Sequence, residues 1–152
     1  MTIDGEMCTI LREGERVVLD HVVIVVAGLD EAVERLSLCF GTSGVVEGGA
    51  DLGYRRAVFE LGGAEARVEV CQPIDLGEPG GESQASTAFR KRLERSGSGL
   101  YSLAVSVPDV GFARDAARAA GARVIESEHS DSFFLHPRST CGVLLQVLEA
   151  VR

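Results

Sequence analysis

The order of secondary-structure signals in this chain repeats, and that repeat restricts its fold more than any other feature. Residues 17–26 (VVLDHVVIVV) form a β-branched run of strand length in which Asp20 and His21 are the only polar members. A helix follows, with Asp30 as its expected cap, Ala32, Val33, Leu36 and Phe40 at helical spacing, and Gly41 as its stop. Short strands are expected at residues 44–47, 54–61 and 66–72, the last two joined by a hairpin turn at Gly62-Gly63-Ala64-Glu65. The same order then returns. A strand is expected at 100–107, a helix opened by Pro108-Asp109 and stopped at Gly121, and strands at 123–126, 132–135 and 142–148. The tract Leu19-Asp20-His21-Val22-Val23-Ile24 is echoed by Leu100-Tyr101-Ser102-Leu103-Ala104-Val105. Duplication of this kind predicts an α+β fold built from two βαβββ modules, residues 18–73 and 99–152.

Between the modules, residues 74–98 are rich in proline and glycine and read as a linker, with a short basic helix at 87–95. Residues 1–17 read as a leader or a short extra strand, without the apolar core of a secretory signal. The four cysteines (Cys8, Cys39, Cys71, Cys141) are scattered and carry no CxxC spacing, which predicts free thiols and a cytoplasmic protein. A net charge of −8 argues against a nucleic-acid partner, which needs a basic footprint. No apolar run is long enough to span a membrane.

Polar residues inside otherwise apolar strands are the candidates for a site. His21 shares a strand face with Val23 and Val25, and Glu69 shares one with Arg67 and Cys71. Ser102 alternates with Leu100 and Ala104, and Gln146 with Leu144 and Leu148. These companions are largely apolar, as expected for the walls of a cleft.

Three further tracts carry a family resemblance: Asp20-His21 on the first strand, Gly97-Ser98-Gly99 before the fifth, and Phe133 followed by His136-Pro137, Ser139-Thr140 and Gly142-Val143-Leu144. With them the chain resembles the vicinal oxygen chelate superfamily, which includes glyoxalase I, methylmalonyl-CoA epimerase, extradiol dioxygenases and the bleomycin and fosfomycin resistance proteins. The epimerase branch is the one it looks most like. The resemblance implies an incomplete barrel around a central cleft, with a divalent metal bound by one residue from each of four strands. Carried over, the metal ligands are His21, Glu69 and Gln146, while the fifth-strand position, a histidine in epimerases, is Ser102. Homodimers are likewise implied.

An imidazole, a carboxylate and an amide oxygen suit Zn²⁺, Mn²⁺, Co²⁺ or Ni²⁺. Gln146 cannot remove a proton as the epimerase glutamate does, so the acid–base candidates are Glu69, Tyr101 and a carboxylate after the second strand, Glu47 or Asp51. Cys71, Ser102 and His136 are expected to line the substrate cleft. The expected function is a metal-assisted isomerase, epimerase or lyase acting on a carbonyl-bearing substrate such as an acyl-CoA. The alternative is a metal-free protein of the drug-resistance kind that sequesters a small molecule in the same cleft.

Overall fold

The computed structural model of the chain describes residues 2–3, 6–7, 9–62 and 66–151. The expected turn at Gly63, Ala64 and Glu65 and the thiol of Cys8 lie outside the described residues. In chain order the elements are β1 (Thr2–Ile3), β2 (Glu6–Met7), β3 (Val18–Val25), α1 (Leu29–Phe40), β4 (Val45–Gly49), β5 (Tyr54–Glu60), β6 (Arg67–Pro73) and α2 (Gln84–Ser96). They continue with β7 (Gly99–Val107), α3 (Val110–Ala119), β8 (Val124–Glu126), β9 (Ser132–Leu135), a 3₁₀ turn at Pro137–Ser139 and β10 (Leu145–Glu149). The chain divides into two compact units, one of His21–Tyr101 and one of Met1–Asp20 with Ser102–Arg152.

In the His21–Tyr101 unit the strand order is β4-β5-β6-β3. The first two neighbour pairs are antiparallel, and β6 runs parallel to β3. One face of this sheet packs on α1: Val26, Leu29, Ala57, Phe59 and Val70 are buried there with Ala32, Val33, Leu36 and Phe40 against them. The helix has its apolar stripe where the spacing predicts it, but its start differs. Its N-cap is Gly28, and Asp30 lies inside the first turn, paired with Arg55 at 3.2 Å. The Leu29 N–H, at the first position of the helix, donates to Oε1 of Gln72 at 2.8 Å, so a strand side chain satisfies one of the donors at the helix start. Gly41 ends the helix with φ +65°, a conformation open to glycine at little cost.

In the other unit the order β7-β10-β9-β8 repeats the pattern, with two antiparallel pairs and then β10 parallel to β7. Asp109 caps α3 as expected, accepting the Phe112 N–H at 2.8 Å. Val110, Ala113 and Ala117 of α3 bury against Val105, Val107, Phe133, Leu135 and Val147. The last strand begins at Leu145 rather than Gly142, because Cys141 and Gly142 both take positive φ in a turn. No helix among the described residues is long and apolar enough to cross a membrane.

Candidate functional site

Strand register decides which side chains meet. Antiparallel pairing sets Glu47 opposite Arg56, Val58 opposite Glu69, Arg56 opposite Cys71 and Glu60 opposite Arg67. Parallel pairing sets His21 opposite Arg67 and Val23 opposite Glu69. Since alternate residues share a face, His21, Glu47, Arg56, Glu60, Arg67, Glu69 and Cys71 all stand on the face away from α1. That face holds a chain of charges. The guanidinium of Arg56 donates through Nε to Oε1 of Glu47 at 2.7 Å, with Nη2 2.5 Å from the same oxygen. Its Nη1 donates to Oε2 of Glu69 at 3.3 Å. The same Oε2 lies 3.9 Å from Nε2 of His21, and Arg67 Nη2 lies 3.8 Å from Oε1.

Glu69 is 4% exposed, so its carboxylate is removed from water and depends on these cations. Arg56, with 26% of its side chain exposed, bridges inward to Glu69 and outward to Glu47, which is 46% exposed. Burial alone would lower the Arg56 pKa; the charges of Glu69 and Glu47 more than reverse that, so its pKa moves up and the guanidinium stays charged. The outer part of this face opens into a groove of about 390 Å³ lined by Thr42, Ser43, Glu47, Arg56, Glu60 and Arg67 among others.

The other end of the face is closed. Phe89 of α2 packs on Val23, Val25 and Cys71, and its ring meets those of Tyr54 and Tyr101 edge-on at 5.2 and 5.0 Å. Cys71 is therefore core: burial first, and the nearby Glu69 carboxylate second, push its thiol up to about 12, which keeps it protonated and poorly nucleophilic. Burial also raises the Tyr101 phenol. Two of the basic residues of α2 serve the fold: Arg90 donates to the Ile74 carbonyl at 2.6 Å, and Arg92 to the carbonyls of Gly97 and Leu100 at 2.8 and 3.2 Å.

The structure brings together His21, Glu69 and, through Arg56, Glu47. Asp51 falls in the turn after β4, outside the groove lining. Ser102 and Gln146 belong to the second unit, where both stand on the sheet face away from α3, Gln146 opposite Ala104. His136 is spent locally, its Nδ1 accepting the Arg138 N–H at 3.1 Å to start the 3₁₀ turn. Sequence reasoning missed Arg56 as the centre of the network. Its only signal is an arginine in a strand whose alternate positions, Tyr54 and Val58, are not solvent residues, and the β5–β6 register is needed to read it.

The expected divalent ion can be tested against these residues. The donors converging within the His21–Tyr101 unit are one imidazole and one carboxylate. Among the described residues no group of three or more His, Cys, Asp or Glu is placed to hold a metal. Arg56 already occupies Oε2 of Glu69. A dication about 4 Å from that guanidinium would be repelled by about 8 kcal/mol at an effective dielectric of about 20. Within this unit, then, Arg56 holds the carboxylate a dication would need, and one imidazole and one carboxylate are too few to hold the ion by themselves.

With the site described, its relatives can be compared. No curated protein sequence matches the chain. Among solved structures, methylmalonyl-CoA epimerase from Mycobacterium tuberculosis is similar with 29% identity over 89% of each chain and a TM-score of 0.71. A Streptomyces coelicolor methylmalonyl-CoA epimerase variant in complex with 2-nitronate-propionyl-CoA has 23% identity over 89% of this chain and 98% of its own, with a TM-score of 0.71. A hypothetical protein from Bacillus halodurans C-125 shares the fold at 21% identity, over 90% of this chain and 96% of its own, with a TM-score of 0.72. The sequence profile of the Glyoxalase/Bleomycin resistance protein/Dioxygenase superfamily matches residues 20–135, and the chain, with its two βαβββ units, belongs to that superfamily.

Proposed function

We propose that the chain is an enzyme that removes a proton next to the carbonyl of a small molecule of the acyl-thioester kind, as part of an isomerisation or lyase step. The observation that supports this most is the Glu47–Arg56–Glu69 chain, of which Glu47 and Arg56 line a groove of about 390 Å³. Glu47 offers the accessible carboxylate. It would take the proton, the C–H electron pair would form the new C=C bond, and the carbonyl oxygen would take up the negative charge. Return of a proton to the opposite face of the same carbon gives epimerisation; departure of a group from the neighbouring carbon gives elimination. Glu69 and His21 lie behind Arg56 and hold its direction. The likeness to the Mycobacterium tuberculosis epimerase at 29% identity favours thioesters as the first substrates to try.

Cytoplasmic location and a homodimer belong to the same reading, whereas Tyr101, packed against Phe89 outside the groove, is given no part in the proton transfer. Assistance by a divalent ion on His21, Glu69 and Gln146 is the rival account of how the oxygen is stabilised. The test of the reaction class is deuterium uptake. A panel of acyl-CoA thioesters is incubated with the protein in D₂O, and exchange at the alpha carbon is followed by mass spectrometry. Exchange with at least one thioester, lost in Glu47→Gln, is the expected result. A panel left without exchange, alongside tight binding of a small molecule, would favour the sequestration protein.

A further inference from the structure

We propose that Arg56 is the electrophile of this site, a guanidinium that does the work a divalent ion does elsewhere in the superfamily, and that the chain is consequently metal-independent. The proposal rests on the reading just given, that a carbonyl substrate occupies the groove. Three observations carry it. The guanidinium lies between the buried carboxylate of Glu69 and the groove-facing carboxylate of Glu47, touching both. It is one of the residues lining the groove, whereas Glu69 and His21 are not. And it is gripped from two sides, through Nε and Nη2 by one carboxylate and through Nη1 by the other.

A guanidinium has five N–H donors in a fixed plane, more than the two carboxylates take. Those left over can serve Tyr54, which stands on the same face, and an oxygen in the groove. An oxyanion forming there meets a preorganised cation whose direction was set before the substrate arrived, so little reorganisation is needed at the moment of proton transfer. Glu69 is then a positioning residue. It holds the cation, and the cation meets the substrate.

The same geometry makes a claim about metals that needs no substrate. Glu47, Glu69 and His21 are donor types a dication accepts, but Arg56 holds both carboxylates and cancels one of their two charges. Taking its charge away frees the half-exposed Glu47 to swing toward Glu69 and His21, and should open the place to a metal. The experiment uses the purified full chain, stripped with EDTA, dialysed against Co²⁺ and desalted, with bound cobalt counted by elemental analysis. Wild type and Arg56→Lys are expected to retain no stoichiometric cobalt, while Arg56→Gln gains about one equivalent that is lost again in the Arg56→Gln/His21→Ala double variant. EDTA should leave wild-type exchange unchanged. Arg56→Gln should lower exchange by about 10²–10³-fold, and Arg56→Lys by less, since an ammonium keeps the charge but loses the fork.

One equivalent of cobalt on wild type, abolished by His21→Ala, would overturn the proposal. So would cobalt ignored by wild type and Arg56→Gln alike, because the guanidinium would then not be what fills the place. Should no thioester exchange at all, the enzymatic reading fails, but the cobalt counts still decide whether Arg56 excludes a metal.

Discussion

Breaking the charge chain at its centre should cost far more than breaking it at its rim. In Arg56→Met, Glu69 keeps its buried position but loses the guanidinium 3.3 Å from Oε2. At an effective dielectric of about 20, a full charge pair at that separation is worth about 5 kcal/mol, an upper bound because both partners gave up hydration to form it. Arg67, 3.8 Å from Oε1, offsets part of the loss. The expected cost of Arg56→Met is about 2–4 kcal/mol. Glu47→Ala removes a half-exposed partner and should cost about 0–1 kcal/mol. Glu69→Leu places an apolar side chain beside Val23 and Val58, its register neighbours, and leaves Arg56 still paired with Glu47, so its cost should fall between the two. The double variant Arg56→Met/Glu69→Leu should be more stable than the sum of the single changes indicates, by at least about 1 kcal/mol. Urea unfolding with linear extrapolation measures all four proteins. Additive single changes, or a Glu47→Ala loss as large as that of Arg56→Met, would refute the claim that Glu69 is a buried charge held by Arg56.

Two other expectations follow from packing. A Cβ added at Gly44 would lie 2.7 Å from the Phe59 ring, which is fully buried against Phe40, so Gly44→Ala should cost about 1–3 kcal/mol by overpacking; the loss should shrink in a Phe59→Leu background, and differential scanning calorimetry reads both. Cys71, raised to about 12, should resist iodoacetamide at pH 8 while the exposed Cys39 and Cys141 are alkylated, with mass spectrometry locating the label. Because its folded pKa lies above the ordinary 9.0, the thiol's contribution to stability is complete below about pH 9 and is lost as the pH rises toward 12; a Cys71→Ala variant should lack that alkaline loss.

Much of this fold is legible in periodicity. The β-branched run containing His21, the stripe Ala32, Val33, Leu36 and Phe40, and the stop at Gly41 each follow from local chemistry, and each element forms close to where that chemistry puts it. The end of α1 was readable because a glycine in a left-handed conformation is a local event. Its beginning was not, because the Leu29 N–H is satisfied by Gln72, forty-three residues away, and no local rule reports a long-range cap. The site divides the same way. Alternation alone sets Glu69 opposite in facing to Val68 and Val70, but the meeting of Arg56 with Glu69 depends on a hairpin register, and a shift of one residue would have sent Arg56 to the α1 side. Cys71 looked like a cleft residue because it alternates with Glu69. It does share that face, yet α2 covers that end, and the position of α2 over β6 is a tertiary fact.

The two units have one topology and different chemistry. In each, a sheet buries one face under a helix that follows its first strand, and the opposite face carries the residues that differ most in character between the units. The first unit has filled that opposite face with His21, Glu47, Arg56, Glu60, Arg67 and Glu69, a set of opposite charges dense enough that each buried one needs a partner. The corresponding face of the second carries Ser102, Ala104, Phe134, Gln146 and Leu148, none of which is charged. A reaction that develops negative charge on an oxygen needs a cation, and a proton transfer needs a base. Of these two faces, the first has both and the second has neither. Under the proposed function, the reacting groups therefore lie on the first unit. Substitutions at Ser102 or Gln146, neither of which lines the groove, should accordingly leave the rate of proton exchange close to that of wild type, whereas Glu47→Gln should abolish it. Steady-state exchange kinetics on these three variants would separate the roles, and a Gln146→Ala protein that binds normally but no longer exchanges would place the chemistry on the second unit instead.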